Sequence, residues 1–375
     1  MSHPKLRKRL ISWALVVIWT TIIFLTLPYA PIWRDWITDN FSGYAIPVSV
    51  VVILLVIAGF TIGNIIKRKA GIKSYFFFII TIALYVYSLS RIEILVEQVH
   101  FLEYGLLAYL IIRALRIESR DVWQYLNAVL LVSFIGVLDE YVQGLLVNRV
   151  GELRDIQINI ISGLLAMIWH RFCLEPEEEH ASPRTALLIG IPIAGAIIFS
   201  ISLFNTVHSG FGHFIEEDDK VGFYSRSPAA ELLSVPKDTA LFRDKIVDMM
   251  LKMKYSELLK IVDPVHGEIL VHVFRRDRYL FKQDYRTAYW ENYILDKYFN
   301  SHIRGTKLEL SENNRDIITA SALIDTSGIY ISPVSAHLVT AYSERQQWIF
   351  VIMSELILLI SWIIIYRRKP GGKNG

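Results

Sequence analysis

Long apolar runs separated by short polar or basic segments make up most of this 375-residue chain. A helix needs about 20 mainly apolar residues to cross a bilayer. The pattern predicts eight such helices, near residues 10–29, 45–65, 75–89, 100–115, 123–146, 155–172, 185–204 and 348–366. The third and fourth are short and carry polar side chains, so a tilted or re-entrant segment is an alternative there. The predicted fold class is a membrane all-α helical bundle.

Clusters of Lys and Arg give the predicted orientation. They precede the first helix, separate the second from the third and the fourth from the fifth, and follow the eighth. Such short basic flanks usually face the cytoplasm. If all four do, the number of helices between the termini is even, and eight satisfies this. The chain is therefore predicted to be a multi-pass protein of the cytoplasmic (inner) membrane, with both termini cytoplasmic.

A long, more polar stretch lies between the last two predicted helices. Its patterns predict helices at 239–262 and 287–303, a hairpin at 268–283, and strands within 307–325 and 328–334. The stretch is therefore expected to be a small α+β extracytoplasmic domain. The predicted divisions are N-terminal helices at 1–74, a core at 75–172, a seventh helix at 185–204, the domain at 205–346 and a C-terminal helix at 347–367.

Composition agrees with a membrane protein. The chain is 53% hydrophobic, and its mean hydropathy of +0.38 is too high for an ordinary soluble domain. The net charge of +3 is too small to indicate a nucleic-acid-binding surface. The single cysteine, Cys173, excludes an intramolecular disulfide. The basic head and long apolar run at the N-terminus are interpreted as a retained anchor, because no small-residue cleavage site follows.

Polar side chains share one face at the start of the fourth predicted helix. Glu93, Glu97, His100 and Tyr104 follow one another at spacings of four, three and four residues. Glu103 points elsewhere but lies at a similar membrane depth. Ionisable groups in a spanning segment are costly and are functional candidates by default. This helix is therefore expected to present a histidine and carboxylates at the outer leaflet.

The junction of the fifth and sixth predicted helices carries a second group. The fifth helix ends, and the sixth begins, with carboxylate and amide side chains, and two arginines lie between them. The candidate residues are Asp139, Glu140, Gln143, Arg149, Arg154, Asp155 and Asn159. Salt bridges to the arginines and capping of the sixth helix by Asp155 are the alternative, structural roles. The predicted topology places both groups in one layer.

These residues resemble the VanZ-like family, named for a protein associated with teicoplanin antibiotic resistance in enterococci. The family pattern joins His-Phe-x-x-Tyr to Asp-Glu-x-x-Gln, with an Arg six positions after the Gln and an Asp six positions after that. An Asn or Asp and then a Gly follow. This chain carries His100-Phe101-Leu102-Glu103-Tyr104, Asp139-Glu140-Tyr141-Val142-Gln143, Arg149, Asp155, Asn159 and Gly163.

The resemblance covers about residues 75–172 and departs from the family pattern at two positions. Glu97 stands where members often carry Lys, and Leu145 where they often carry an aromatic residue. The resemblance implies a bacterial membrane protein, with a cell-envelope role in at least some members. The resemblance does not imply any particular catalytic reaction.

The first functional hypothesis is binding of membrane lipids or a lipid-linked envelope component at the outer-leaflet polar site. Arg149 and Arg154 suit phosphate, and the domain at 205–346 would engage an extracytoplasmic protein partner. No nucleic-acid partner is expected. The candidate binding residues are Tyr104, Gln143, Arg149, Arg154 and Asn159.

The alternative is a membrane enzyme acting on a lipid-linked (pyro)phosphate or glycan. Asp139, Glu140 and Asp155 are candidate ligands of a divalent cation, the one cofactor suggested, and His100 is a candidate general base. The candidate catalytic residues are His100, Glu103, Asp139, Glu140 and Asp155. A transporter is the third hypothesis, and the position of these groups at one surface, away from the midplane, argues against it.

Overall fold

The computed structural model describes residues 3–42, 44–92, 95–118, 121–146, 149–174, 183–234, 264–322 and 328–368. The chain divides into two compact units. The bundle unit comprises Met1–Phe204 and Trp348–Gly375, and the inserted unit comprises Asn205–Gln347.

The described part of the bundle unit consists of helices joined by short connections. Its helices are α1 His3–Thr26, α2 Ala30–Asn40, α3 Ala45–Lys67, α4 Ile72–Ser90, α5 His100–Glu118, α6 Gln124–Leu145, α7 Leu153–Trp169 and α8 Pro183–Phe204. A 3-10 turn, Leu95–Val99, precedes α5, and a π turn, His170–Leu174, follows α7. The short helix α2 was not predicted. Its exposed Trp33 and Trp36 are typical of a helix at a membrane interface.

Seven helices in the described part of the chain are long and apolar enough to cross a membrane. They are Lys5–Thr26, Ala45–Lys67, Ile72–Ser90, Gln124–Leu145, Leu153–Leu174, Pro183–Ser209 and Glu344–Arg367. The chain is therefore a helical, multi-pass membrane protein. The fourth predicted span corresponds to α5, which is helical but is not among the seven.

Helix α5 lies at the centre of the bundle unit. One of its faces, formed by Tyr104, Leu107, Ala108, Ile111 and Ile112, is fully buried. This face packs on apolar residues of α1, α6 and α7. The apolar face of α5 is therefore buried against neighbouring helices, although α5 as a whole is not among the seven apolar spans.

Two glycines allow α6 and α7 to approach closely. A Cβ on Gly163 would lie 2.8 Å from Cγ1 of Val132, and a Cβ on Gly136 would lie 2.9 Å from Cβ of Asn159. Both distances are below van der Waals contact, so a larger residue at either position would push the helices apart. The glycines bring the end of α6 next to the start of α7.

Basic residues meet at the other end of these helices. Arg68 donates to the carbonyls of Cys173 and Leu174, 2.6 and 2.5 Å away. Arg116 donates to Oη of Tyr125 at 2.7 Å. The C-terminal ends of α3, α5 and α7 therefore lie on the same side of the bundle unit. The polar N-terminal starts of α5 and α7 lie on the opposite side, as expected when successive helices alternate in direction.

A proline determines how the last helix, α14 (Glu344–Arg367), packs on α8. Pro192 lies inside α8 and has no N–H, so the carbonyl of Leu188 loses its usual helical donor. Nε1 of Trp362 in α14 donates to that carbonyl at 3.1 Å. An indole thus replaces the missing backbone hydrogen bond.

The inserted unit combines a small sheet with helices. In chain order its elements are β1 His213–Glu217, β2 Val221–Ser225, α9 Ala229–Ser234, α10 Pro264–Phe281, α11 Tyr285–Tyr298, α12 Asn300–Ile303, α13 Glu312–Ala322 and β3 Tyr330–Ile331. A π turn, Asn205–Ser209, precedes them. Strand β2 is central, antiparallel to β1 (His213 opposite Ser225) and parallel to β3 (Val221 opposite Tyr330).

Two secondary-structure predictions for the inserted unit are wrong. Residues 268–283 form most of α10 and no hairpin, because Ile269, His272, Val273 and Arg276 are buried at helical spacing. Most of 307–325 forms α13 rather than strand. The helix predicted at 287–303 is confirmed as most of α11 together with α12, and β3 confirms a strand within 328–334. The helix predicted at 239–262 lies outside the described residues.

Candidate functional site

The starts of α5 and α7 and the end of α6 meet at one end of the bundle unit. We call the polar residues at this meeting point the polar cluster. Its members are Glu97, His100, Glu103, Tyr104, Asp139, Glu140, Gln143, Arg149, Glu152, Arg154, Asp155 and Asn159. The cluster holds the residues predicted as catalytic, binding or metal-ligating candidates, whereas Glu93, predicted on the same face as His100, lies outside the described residues.

Tyr104 and Gln143 hold the two adjacent carboxylates of α6. Oη of Tyr104 donates to Oδ2 of Asp139 at 2.8 Å. Nε2 of Gln143 donates to the same oxygen at 3.3 Å and to Oε1 of Glu140 at 2.7 Å. All four side chains are fully buried. The contact between Tyr104 and Asp139 joins the two halves of the sequence motif.

The connection between α6 and α7 folds back onto the end of α6. The backbone N–H of Glu152 donates to Oε2 of Glu140 at 3.0 Å. A Cβ on Gly151 would lie 2.3 Å from the carbonyl oxygen of Glu140, so only glycine fits at this position. Arg149 donates from Nε to Oε1 of Gln143 at 2.9 Å, and also from Nη2. Arg149 therefore orients an amide and makes no direct salt bridge to Asp139 or Glu140 within hydrogen-bonding distance.

Arg154 lies among three carboxylates. Its Nη2 is 2.5 Å from Oε1 of Glu97 and 3.5 Å from Oε2 of Glu152, and its Nε is 3.7 Å from Oδ1 of Asp155. The acid at position 97, where the family pattern has Lys, is thus the ion-pair partner of an arginine at the start of α7. Both arginines therefore contact side chains of the protein itself, Arg149 the amide of Gln143 and Arg154 the neighbouring carboxylates.

Three side chains from three helices place metal-ligating atoms close together. One such atom each from His100, Glu140 and Asp155 lies within 4.8 Å of the others, and the three residues are 9%, 0% and 7% exposed. No other such group occurs among the described residues. Two of the three predicted carboxylate ligands are in this group, with His100 in the place of Asp139. Asp139 instead accepts from Tyr104 and Gln143.

Several buried polar atoms of the cluster have no hydrogen-bond partner among the described residues. They are Nδ1 of His100, Oδ1 of Asp139, Oδ1 of Asp155 and both amide atoms of Asn159. Nδ1 of His100 lies 3.7 Å from Oε2 of Glu103. Leaving such atoms unpaired costs about 1–3 kcal/mol each. The cluster is therefore arranged as an incomplete network that an additional group would complete.

Sequence reasoning missed a carboxylate in the last span. Glu355 lies near the middle of α14, and a Cβ on Gly195 of α8 would be 2.6 Å from its Oε2. The signal was available, since an acid in the middle of an apolar run is uncommon. Its contact with the backbone at Gly195 could be found only from the packing of α8 on α14.

A buried network around Glu291 in the inserted unit was also missed. His272 (Nδ1) and Arg275 (Nε) each lie 2.6 Å from its carboxylate, and Tyr330 and Ser332 donate to it at 2.7 and 3.0 Å. Burial raises the pKa of Glu291, but these hydrogen bonds and nearby positive charges outweigh it and hold the pKa below its ordinary value. We call these five residues the Glu291 network.

Comparison with protein families, with curated proteins and with solved structures finds no match to this chain. The resemblance to the VanZ-like family therefore rests on the motif and its spacing.

Proposed function

We propose that this chain is a bacterial cell-envelope membrane protein that binds a lipid or a lipid-linked envelope component. The headgroup occupies the polar cluster at the outer leaflet. The observation that carries the proposal is the meeting of three helices in a polar cluster with unpaired buried atoms, at the start of the same helix, α5, that contributes to an apolar groove.

The apolar groove supplies a place for a hydrocarbon chain. Its volume is about 460 Å³, within the usual range of about 300–1,000 Å³ for ligand sites. Its walls include Trp36, Phe41, Ser49, Ile53, Val99 and Leu102. Val99 and Leu102 precede and follow His100 in the chain, so the groove and the polar cluster both lie at the start of α5.

The direction of the groove suits a lipid chain. It begins beside the interfacial helix α2 at Trp36 and follows one face of α3 from Ala45 to Ile53. That distance is about 12 Å along the helix axis at 1.5 Å per residue. A ligand with its head at the cluster would therefore extend its tail into the depth of the membrane.

Filling the groove tests this proposal. We expect Leu102→Trp to reduce the lipid retained by full-length protein in mild detergent by about ten-fold, or about 1.4 kcal/mol. Native mass spectrometry and lipid extraction measure the retained lipid. Leu106→Trp is the matched control, because Leu106 lies one turn further along α5, is exposed and does not line the groove. Equal lipid in both variants would contradict the proposal.

A membrane enzyme acting on the same ligand is the second candidate. The observation that favours it is the position of Glu103, 3.7 Å from His100 and partly exposed, where a carboxylate can exchange a proton with a bound ligand. Turnover of a lipid-linked pyrophosphate that is lost in Glu103→Gln, with lipid retention unchanged, would establish catalysis.

A further inference from the structure

The group formed by His100, Glu140 and Asp155 has the composition of a metal site. Its members come from the start of α5, the end of α6 and the start of α7, which the glycines of α6 and α7 bring together. One imidazole and two carboxylates are ligands that Zn²⁺ and Mn²⁺ accept together. The separate origins of the ligands mean that an ion here would tie three helices to each other.

The distances fit one ion. Two ligand atoms bound to a single cation at about 2.1 Å are at most about 4.2 Å apart. The ligating atoms lie within 4.8 Å of one another. Small side-chain rotations therefore suffice to bring all three to bonding distance.

Unpaired buried atoms provide the second, independent observation. Nδ1 of His100 and Oδ1 of Asp155 have no hydrogen-bond partner among the described residues, and the two residues are only 9% and 7% exposed. By contrast, Glu140 is held by the side chain of Gln143 and the backbone of Glu152. Such support orients a ligand and is usual around metals.

Charge points to a cation as well. The polar cluster holds the carboxylates Glu97, Glu103, Asp139, Glu140, Glu152 and Asp155 but only the two arginines Arg149 and Arg154. Arg154 is shared among three of these acids, and Arg149 is bonded to the amide of Gln143. A phosphate brought alone to this excess of acids would meet repulsion, whereas a divalent cation would be attracted and could then accept a phosphate oxygen.

We infer that His100, Glu140 and Asp155 bind one divalent transition-metal cation, Zn²⁺ or Mn²⁺, and that its remaining positions take a phosphate oxygen of the lipid headgroup. Three protein ligands leave such positions open. The phosphate part of this inference rests on the proposed lipid-binding function. The metal part does not need the lipid.

Metal content of the full-length protein in detergent tests the inference. The protein is stripped with a chelator, incubated separately with Zn²⁺, Mn²⁺ and Mg²⁺, dialysed, and analysed by inductively coupled plasma mass spectrometry and isothermal titration calorimetry. We expect one Zn²⁺ or Mn²⁺ per chain. We expect His100→Ala and Asp155→Asn each to weaken binding by at least about 100-fold, because loss of a supporting residue alone costs about 10–100-fold.

Asp35→Asn is the control, because it removes one carboxylate charge from an exposed position of α2 outside the polar cluster, and it should bind metal as the wild type does. Wild-type protein that retains no Zn²⁺ or Mn²⁺, or an equal loss in the control and the ligand variants, would overturn the inference. Metal content of the wild type decides the matter even if a ligand variant does not fold. Metal binding with no lipid retention would refute the proposed function alone, and lipid retention without metal would refute the inference alone.

Discussion

The Glu291 network of the inserted unit and the polar cluster of the bundle unit are both buried, and both centre on carboxylates. Glu291 accepts from four side chains, one of them an arginine, and within this network only Nε2 of His272 has no partner among the described residues. The polar cluster has acids in excess of its arginines and several unpaired atoms. A nearly complete network stabilises its own fold, whereas an incomplete one is suited to receive a ligand.

The largest expected effect is on Glu291. Replacing it with Ala leaves His272 and Arg275 without their shared partner, and breaking such a buried pair costs about 3–5 kcal/mol. We expect the inserted unit of full-length protein to become sensitive to protease at a much lower temperature. Asp296→Ala is the control on the same helix. Asp296 is partly exposed and paired with Arg315, so its loss should cost about 1 kcal/mol or less. Similar losses in both variants would show that the network is not what stabilises this unit.

The pH dependence of the inserted unit sharpens the same comparison. The pKa of Glu291 is lowered from its ordinary value of 4.5 on folding. Its contribution to stability is therefore fully present above pH 4.5 and is lost as the pH falls through the lower, folded-state value. We expect the protease-sensitivity temperature of the wild-type unit to decrease as the pH falls below 4.5, the ordinary pKa of a glutamate. In Glu291→Gln this fall should be smaller, and an identical profile would contradict the assignment.

The smallest expected change in stability is at the polar cluster, although the change in function is large. Asp155→Asn removes a charge from a group of acids, so we expect the thermal stability of metal-free protein to stay within about 0.5 kcal/mol of the wild type or to increase. Differential scanning fluorimetry in detergent measures this. A loss as large as that of Glu291→Ala would place Asp155 among the structural residues and remove the contrast between the two regions.

Local pattern predicted much of the fold, but not the contacts between distant residues. Apolar runs predicted the spans, and the topology derived from them placed His100, Asp139 and Asp155 in one layer. Residues 268–283 were predicted to form a hairpin because β-branched and aromatic residues alternate around the charged segment Arg275–Arg278, whereas these residues form most of α10. The partner of Arg149 is the amide of Gln143, and Glu291 draws its donors from 16 to 41 residues away. Such pairings depend on how helices dock, and in the bundle unit the glycines at positions 136 and 163 allow α6 and α7 to dock closely.

Synthesis of the chain imposes an order on the packing of α8. The carbonyl of Leu188 has no helical donor because of Pro192, and its replacement, Trp362, is synthesised 174 residues later. An open carbonyl in hydrocarbon is unfavourable. Helix α8 is therefore synthesised with this carbonyl unpaired, and its donor becomes available only after the whole inserted unit has been synthesised. The joining of α14 to α8 is thus a late step in the assembly of this membrane protein.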